Sequence, residues 1–250
     1  MSLCADCVKG VRHEGTLEGQ LENIGGIECY TATPAGDFPK DKVLLFLPDA
    51  FGISLINSRL LVDDFARNGF KTVAPDIFNG DPVPEDYLDS KRQFSLADWF
   101  KTHAPEHTRP TIDKVVTALK EQGVKHFAAT GYCFGGRYCF DLAFDNVVDA
   151  VVVSHPSLLK IPEDLEKYAK NSKAPLLINS CTTDSQFPLE AQAQADRILG
   201  GGQFAPGYKR EYWDGCTHGF AVRGDLSDLK VKQGKEGSFK AAVLWFKQYL

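Results

Sequence analysis

The stretch Gly131-Tyr132-Cys133-Phe134-Gly135-Gly136 decides the fold, because it sets a cysteine among small residues directly after the apolar-leaning run from His126 to Thr130. It reads as a nucleophile elbow with sulfur in place of the usual serine oxygen. In such a turn a strand ends, the nucleophile takes a strained backbone conformation and a helix starts at once, so the residues two before and two after must lack bulk. Gly131 and Gly135 meet that demand. A cysteine on the first turn of a helix lies near the positive end of the helix dipole, which favours the thiolate, and the backbone N–H of Phe134 is expected to face the oxygen of a tetrahedral intermediate. An isolated G-x-C-x-G is equally consistent with a buried core cysteine, so the rest of the chain has to decide.

Outward from the elbow, apolar runs alternate with helical patterns. Upstream, Ile24 to Thr33 predicts an early strand, Val43-Leu44-Leu45-Phe46-Leu47 a strand covered on both faces, and Phe70 to Ala74 a short strand closed by Pro75. Leu55 to Asn68, with Leu60, Leu61 and Phe65 at helical spacing, predicts a helix that stops at Gly69. Asp76 to Pro110 is irregular, with a helix around Ser90 to His103, and reads as a functional loop or lid. Thr111 to Gln122 is helical and leads to the strand before the elbow. Downstream, Phe134 to Phe144 predicts the helix behind Cys133, and Ala150 to Ser154 and Pro175 to Asn179 predict two buried strands around a helix over Glu163 to Asn171. Leu189 to Leu199 is a further helix and Lys209 to Trp213 a last strand. Gly237 to Leu250 closes the chain as a helix with Val243, Leu244 and Phe246 inward. Alternation of this kind argues a mostly parallel sheet with helices on both faces, the α/β-hydrolase layout.

Catalytic groups in such a sheet gather at the carboxyl ends of strands. Asp184 follows the Pro175 to Asn179 strand, and His218, in Cys216-Thr217-His218-Gly219-Phe220, follows the last one. Nucleophile, acid, histidine is the chain order this fold uses. Cys133, Asp184 and His218 are therefore the expected triad, with His218 taking the thiol proton and Asp184 fixing the tautomer of its ring. Taken singly, the aspartate could be a turn residue and the histidine a surface loop residue.

Length and composition set bounds on this reading. The chain has 250 residues, 43% hydrophobic and 24% charged, which suits one α/β domain over 21–250 after a loosely held N-terminal segment over 1–20. A formal charge of -5 with no basic run argues against a nucleic-acid partner. Met1 to Gly15 lack the apolar core of a signal peptide, and no apolar stretch approaches the length of a membrane span. A cytoplasmic protein without a membrane partner is expected. Seven cysteines at irregular spacing fit reduced thiols better than a disulfide framework. Cys4-Ala5-Asp6-Cys7 is a lone C-x-x-C with no second ligand pair, so no metal is expected there.

At this point the residues resemble the dienelactone hydrolase family, including its fungal intracellular members, over nearly the whole chain. The resemblance rests on Leu47-Pro48-Asp49-Ala50-Phe51-Gly52, Ala74-Pro75-Asp76-Ile77-Phe78, the elbow itself and His218-Gly219-Phe220. It implies an α/β hydrolase that attacks lactones or esters through cysteine, aided by His and Asp, without a cofactor. Cys133, Asp184 and His218 match the family's triad, and the N–H of Ala50 matches its second oxyanion donor beside that of Phe134. Asp49 stands where bacterial members carry a glutamate that contacts the thiol, and is one methylene shorter. Arg92 and Arg223 are the candidate counterparts of arginines that clamp a substrate carboxylate, and Phe51, Trp99 and Phe220 are candidates for the pocket wall. The expected partner is a small lactone or ester, and the expected assembly a monomer or homodimer. Two other readings stay open: a broader carboxylesterase or thioesterase on the same triad, and a non-catalytic descendant that binds a small molecule or senses oxidants through Cys133.

Overall fold

The run Val43 to Leu47 has no polar side chain to offer water, and all five of its residues are fully buried. Alternation along the strand divides them, as the two-residue period of a strand requires. Val43, Leu45 and Leu47 enter one hydrophobic layer and Leu44 and Phe46 the other. Each such side chain contributes about 1.5–3 kcal/mol on burial, so this strand anchors both layers. In the computed structural model, which describes residue 11, residues 14–89 and residues 94–250, it is the third strand of an eight-stranded sheet.

The strands are β1 (Gln20–Ile24), β2 (Ile27–Ala32), β3 (Lys42–Leu47), β4 (Thr72–Pro75), β5 (His126–Tyr132), β6 (Ala150–Ser154), β7 (Leu176–Thr183) and β8 (Tyr208–Thr217). Their order across the sheet is β1-β2-β4-β3-β5-β6-β7-β8. β1 pairs antiparallel with β2 and β2 with β4, and every other pairing is parallel. Helices α1 (Ile56–Arg67), the short α7 (Phe220–Arg223) and α8 (Leu229–Tyr249) share a hydrophobic layer with Leu44 and Phe46. On the opposite face lie α3 (Pro105–Glu121), α4 (Phe134–Phe144), α5 (Glu163–Asn171) and α6 (Leu189–Leu199). The small helix α2 (Leu96–Thr102) packs on that second layer through Trp99. This is the α/β-hydrolase fold. No helix among the described residues is long and apolar enough to cross a membrane.

Differences from the sequence expectation have physical causes. The early strand is a hairpin, because Gly25 and Gly26 take positive φ values of 62° and 84° and turn the chain between β1 and β2. Helix α3 begins at Pro105 rather than Thr111; a proline at the first helical position costs nothing, since its missing N–H has no helical acceptor there. The closing helix begins at Leu229, capped by the Asp228 carboxylate accepting from the Lys230 N–H at 2.8 Å. It contains Gly234 and Gly237, which look like helix breakers but mark where α8 crosses β8 closely. A Cβ at Gly234 would lie 2.4 Å from the Cys216 sulfur, and one at Gly237 2.2 Å from the Trp213 ring.

The Asp76 to Pro110 excursion holds a 3₁₀ turn over Glu85–Asp89, then α2 and the start of α3. Its buried members Phe78 and Trp99 pack on Phe134, with ring centroids 5.2 and 5.7 Å away. Arg92 of this segment lies outside the described residues, as do Cys4 and Cys7.

Candidate active site

Four neighbouring parallel strands deliver their next residues to one edge of the sheet. β5 ends before Cys133, β6 before His155, β7 before Asp184, and His218 follows β8. The register pairs Tyr132 with Ser154, so β5 and β6 end level; β7 runs on past Asn179, the partner of Ser154, and ends level with β8, where Thr183 pairs with Thr217.

Cys133 has φ 48° and ψ -110°, a conformation that L residues avoid. Strain of this order, about 1–3 kcal/mol, persists only where the surroundings overdetermine it. Three glycines supply the tight packing that does so. A Cβ at Gly131 would lie 2.6 Å from the Gly135 carbonyl oxygen, one at Gly135 2.1 Å from that of Leu47, and one at Gly136 2.8 Å from Pro156 Cβ. The Cys133 N–H donates to the Ser154 carbonyl at 3.2 Å, and the Cys133 carbonyl accepts from Gly136 and Ser157 at 3.0 and 2.9 Å.

Asp184 is held by the chain that follows it. Its Oδ1 accepts the N–H groups of Gln186 at 2.8 Å and Phe187 at 3.1 Å, and lies 2.8 Å from His218 Nδ1. The His218 N–H donates to the Thr183 carbonyl at 3.0 Å, which ties the histidine loop to the end of β7. At the far side of the ring, Nε2 lies 3.5 Å from Ser157 Oγ, which is itself 3.4 Å from Cys133 Sγ. Burial lowers the affinity of His218 for a proton, but the hydrogen bonds to Asp184 and Cys133 and the charges on both outweigh it and carry its pKa up to about 9.

Linkage gives that shift a sign. A histidine raised from its ordinary 6.5 to about 9 stabilises the folded protein fully below pH 6.5 and loses that contribution as pH climbs through 9. The expected result is a urea midpoint that falls between those two values, by an amount equivalent to about 2–3 kcal/mol at most. His218→Gln should flatten that fall, and an equal fall in the variant would show that other groups cause it.

Asp49 is fully buried and does not reach for the thiol. Its Oδ2 accepts from Arg223 Nε at 3.0 Å and its Oδ1 from the Phe51 N–H at 3.1 Å. Burial pushes the carboxyl above its ordinary value, and the Arg223 charge and hydrogen bond limit the rise. The Arg223 guanidinium lies 4.7 Å from the Phe51 ring centroid and passes over Gly219, where a Cβ would stand 2.8 Å from Nη1. Gly219, with φ 91°, thus serves both the turn into α7 and the close passage of the guanidinium. The Leu47 to Gly131 pairing of β3 and β5 sets the Ala50 turn beside the elbow. Among the described residues neither the Ala50 nor the Phe134 N–H is taken by an acceptor. Trp99 and Phe220 are buried, Trp99 stacked on His103 at 4.4 Å and Phe220 beneath His155 at 5.4 Å.

His155 and Ser157 escaped the sequence reading. The signal was present, since they directly follow the apolar run Ala150 to Ser154, and the rule that singled out Asp184 and His218 applies to them equally. His155 is fully buried at φ 40°, its ring centroid 5.0 Å from that of His218, and neither ring nitrogen has a partner among the described residues. No group of three or more His, Cys, Asp and Glu residues among those described is placed to hold a metal ion.

A cysteine on a strained strand-to-helix turn, then an aspartate and a histidine from the following parallel strands, is the arrangement of an α/β-hydrolase. Within that class the match is to a particular family. The model of the dienelactone hydrolase family matches residues 27–250, and the chain belongs to that family. It is 36% identical over 245 residues to the hydrolase pyvD of Aspergillus violaceofuscus, covering 98% of this chain and 96% of the relative. With dienlactone hydrolase 1 of Gibberella moniliformis it shares 32% over 251 residues, 98% of this chain and 93% of the other. Among solved structures, a dienelactone hydrolase-like promiscuous phosphotriesterase, P91, from metagenomic libraries superposes with a TM-score of 0.69 at 19% identity, over 94% of this chain and 99% of that one. The chain is accordingly a hydrolase of the dienelactone hydrolase kind.

Proposed function

We propose that this chain hydrolyses lactones or small carboxylic esters through an acyl-enzyme on Cys133. The thiol proton passes to His218, and the thiolate attacks the acyl carbon. The oxyanion that forms is held by the N–H groups of Ala50 and Phe134, which have no acceptor among the described residues. Collapse breaks the carbon–oxygen bond, and His218 Nε2 returns its proton to the leaving oxygen. In a lactone the ring opens and the alcohol stays attached to the acyl group. Water then gives a proton to His218 and attacks the thioester, the second oxyanion collapses, and the thiolate departs and regains its proton. Asp184 keeps Nδ1 protonated throughout and stabilises the imidazolium. The observation that carries this reading is the strained φ of 48° at Cys133 together with a 2.8 Å histidine–aspartate contact at the neighbouring strand ends.

Arg223 is the candidate group for an anionic substrate. Its Nε is engaged by Asp49, while its two terminal nitrogens lie over Gly219, next to His218. A planar fork there suits a carboxylate. Arg223→Lys keeps a cation for Asp49 but removes the fork, so KM for an anionic dienelactone should rise about tenfold while KM for a neutral aryl ester stays level. Equal changes on both substrates would remove the clamp from the account. The reading as a whole is tested by assaying an anionic dienelactone, a neutral lactone and an activated aryl ester side by side. Turnover of at least one is required, and preference for the neutral ester would make this a broader carboxylesterase on the same residues.

A further inference from the structure

The turn that leaves β6 reaches Cys133 and His218, yet the reaction written above makes no use of it. Ser157 is buried, at 5% exposure, with its Oγ 3.4 Å from Cys133 Sγ and 3.5 Å from His218 Nε2. Three features hold it there. Its own N–H donates to the Cys133 carbonyl at 2.9 Å, so the residue moves with the nucleophile. The turn is clamped by backbone that L residues avoid, φ 40° at His155 and φ 64° at Leu158. Pro156 packs into the space that a side chain at position 136 would take, which gives the second glycine of the Gly135-Gly136 pair its reason.

Beneath the site, His155 braces the other ring. Its imidazole meets that of His218 at an interplanar angle of 64°. Burial first, then the charges of His218 and Arg223, hold its pKa well below the usual histidine value. His155 therefore stays neutral and adds no second cation under the imidazolium.

On the hydrolase reading above, we infer that Ser157 is a catalytic residue that passes the proton from Cys133 Sγ to His218 Nε2. A hydroxyl has one hydrogen and two lone pairs, so it can accept from the thiol while donating to the imidazole. As the Sγ–H bond breaks, its proton bonds to Ser157 Oγ; the hydroxyl's own proton moves to Nε2, and the electron pair stays on sulfur. The products are a thiolate, an intact serine hydroxyl and an imidazolium held by Asp184, and no further reactant is needed. The hydroxyl now donates to the thiolate and accepts from Nε2–H, which stabilises the ion pair. Both distances are long for hydrogen bonds, as is common before substrate closes a site.

The test needs no substrate, so it stands apart from the hydrolase reading. The rate at which a small neutral haloacetamide alkylates Cys133 is followed by mass spectrometry of the peptide that carries it. Measurements are made at neutral pH in wild type, Ser157→Ala, Ser157→Thr, His218→Ala and the Ser157→Ala/His218→Ala double variant. Ser157→Ala should slow alkylation about tenfold, the effect of losing one hydrogen bond to a charged group. Ser157→Thr, which keeps the hydroxyl, should restore most of the rate. With His218 already absent, Ser157→Ala should change little, because the serine acts through the histidine. Where an ester substrate is in hand, Ser157→Ala should lower kcat and leave KM nearly unchanged. An unaltered alkylation rate in Ser157→Ala, or an equal loss with and without His218, would overturn the inference. Coupled alkylation in a protein that turns over no ester would keep the relay and remove only the substrate class.

Discussion

Cys133→Ala is expected to lower ester and lactone hydrolysis by about four orders of magnitude or more, the loss that follows if Cys133 is the nucleophile of the proposed triad. The remaining groups cannot substitute. His218 and Asp184 still form their 2.8 Å contact, but the elbow presents a methyl group where the attacking atom was. Ser157 Oγ lies within 3.5 Å of His218 Nε2, yet it sits beyond the elbow and not on the turn that the Ala50 and Phe134 N–H groups flank. Folding should hardly notice the change. The sulfur's polar neighbours are the Ser157 hydroxyl at 3.4 Å and the His218 ring, both long or weak partners for a thiol, and alanine meets the same positive φ as cysteine, so the urea midpoint at neutral pH should stay within the equivalent of about 1 kcal/mol of wild type. A variant that keeps a tenth of the wild-type kcat while remaining folded would put the chemistry elsewhere.

Gly135→Ala is the largest expected blow to stability. The new methyl would stand 2.1 Å from the Leu47 carbonyl oxygen, 2.5 Å from its carbon and 2.8 Å from the Pro48 oxygen. All three are backbone atoms at the end of β3, a strand paired on both sides by β4 and β5, so no side chain can swing away. Relief requires prising α4 off the sheet, and the loss should be about 3 kcal/mol or more, enough to unfold a marginal domain. Gly26→Ala makes the control. Its φ of 84° is also unfavourable, but a Cβ there meets nothing within 4 Å, so the cost is the backbone term of about 1–2 kcal/mol. Urea denaturation of both variants separates close approach from conformational preference, and near-equal losses would mean that the elbow tolerates displacement.

Much of this was legible in the sequence because the chemistry and the packing speak through the same residues. The five apolar residues of β3 could be nothing but a doubly covered strand, and α4, α5 and α6 fall at Phe134–Phe144, Glu163–Asn171 and Leu189–Leu199 as their patterns predict. Asp184 and His218 were singled out because each follows a recognisable strand, and the structure brings their side chains within 2.8 Å. What the sequence hid were local exceptions that only tertiary contact explains. Gly237 read as the limit of a helix, yet it and Gly234 lie inside one because β8 leaves no room for side chains. Gly25 and Gly26 split one apolar run into two strands. Asp49 stands where relatives carry a thiol-contacting glutamate and is one methylene shorter; in the structure its carboxylate pairs with the Arg223 guanidinium, a pairing across 174 residues that no local pattern encodes. Ser157 follows a recognisable strand as Asp184 and His218 do, but its contacts with Cys133 and His218, atoms from two other strand ends, are not written in the local pattern.

The central claim is a covalent acyl-enzyme on Cys133, and its most direct measurement is the mass of the protein quenched in acid during turnover of an activated aryl ester. The account predicts an increase equal to the acyl group, located on the peptide carrying Cys133, absent in Cys133→Ala and accumulating when deacylation is slowed in His218→Ala. Turnover with no adduct, or an adduct on another residue that survives in Cys133→Ala, would contradict it.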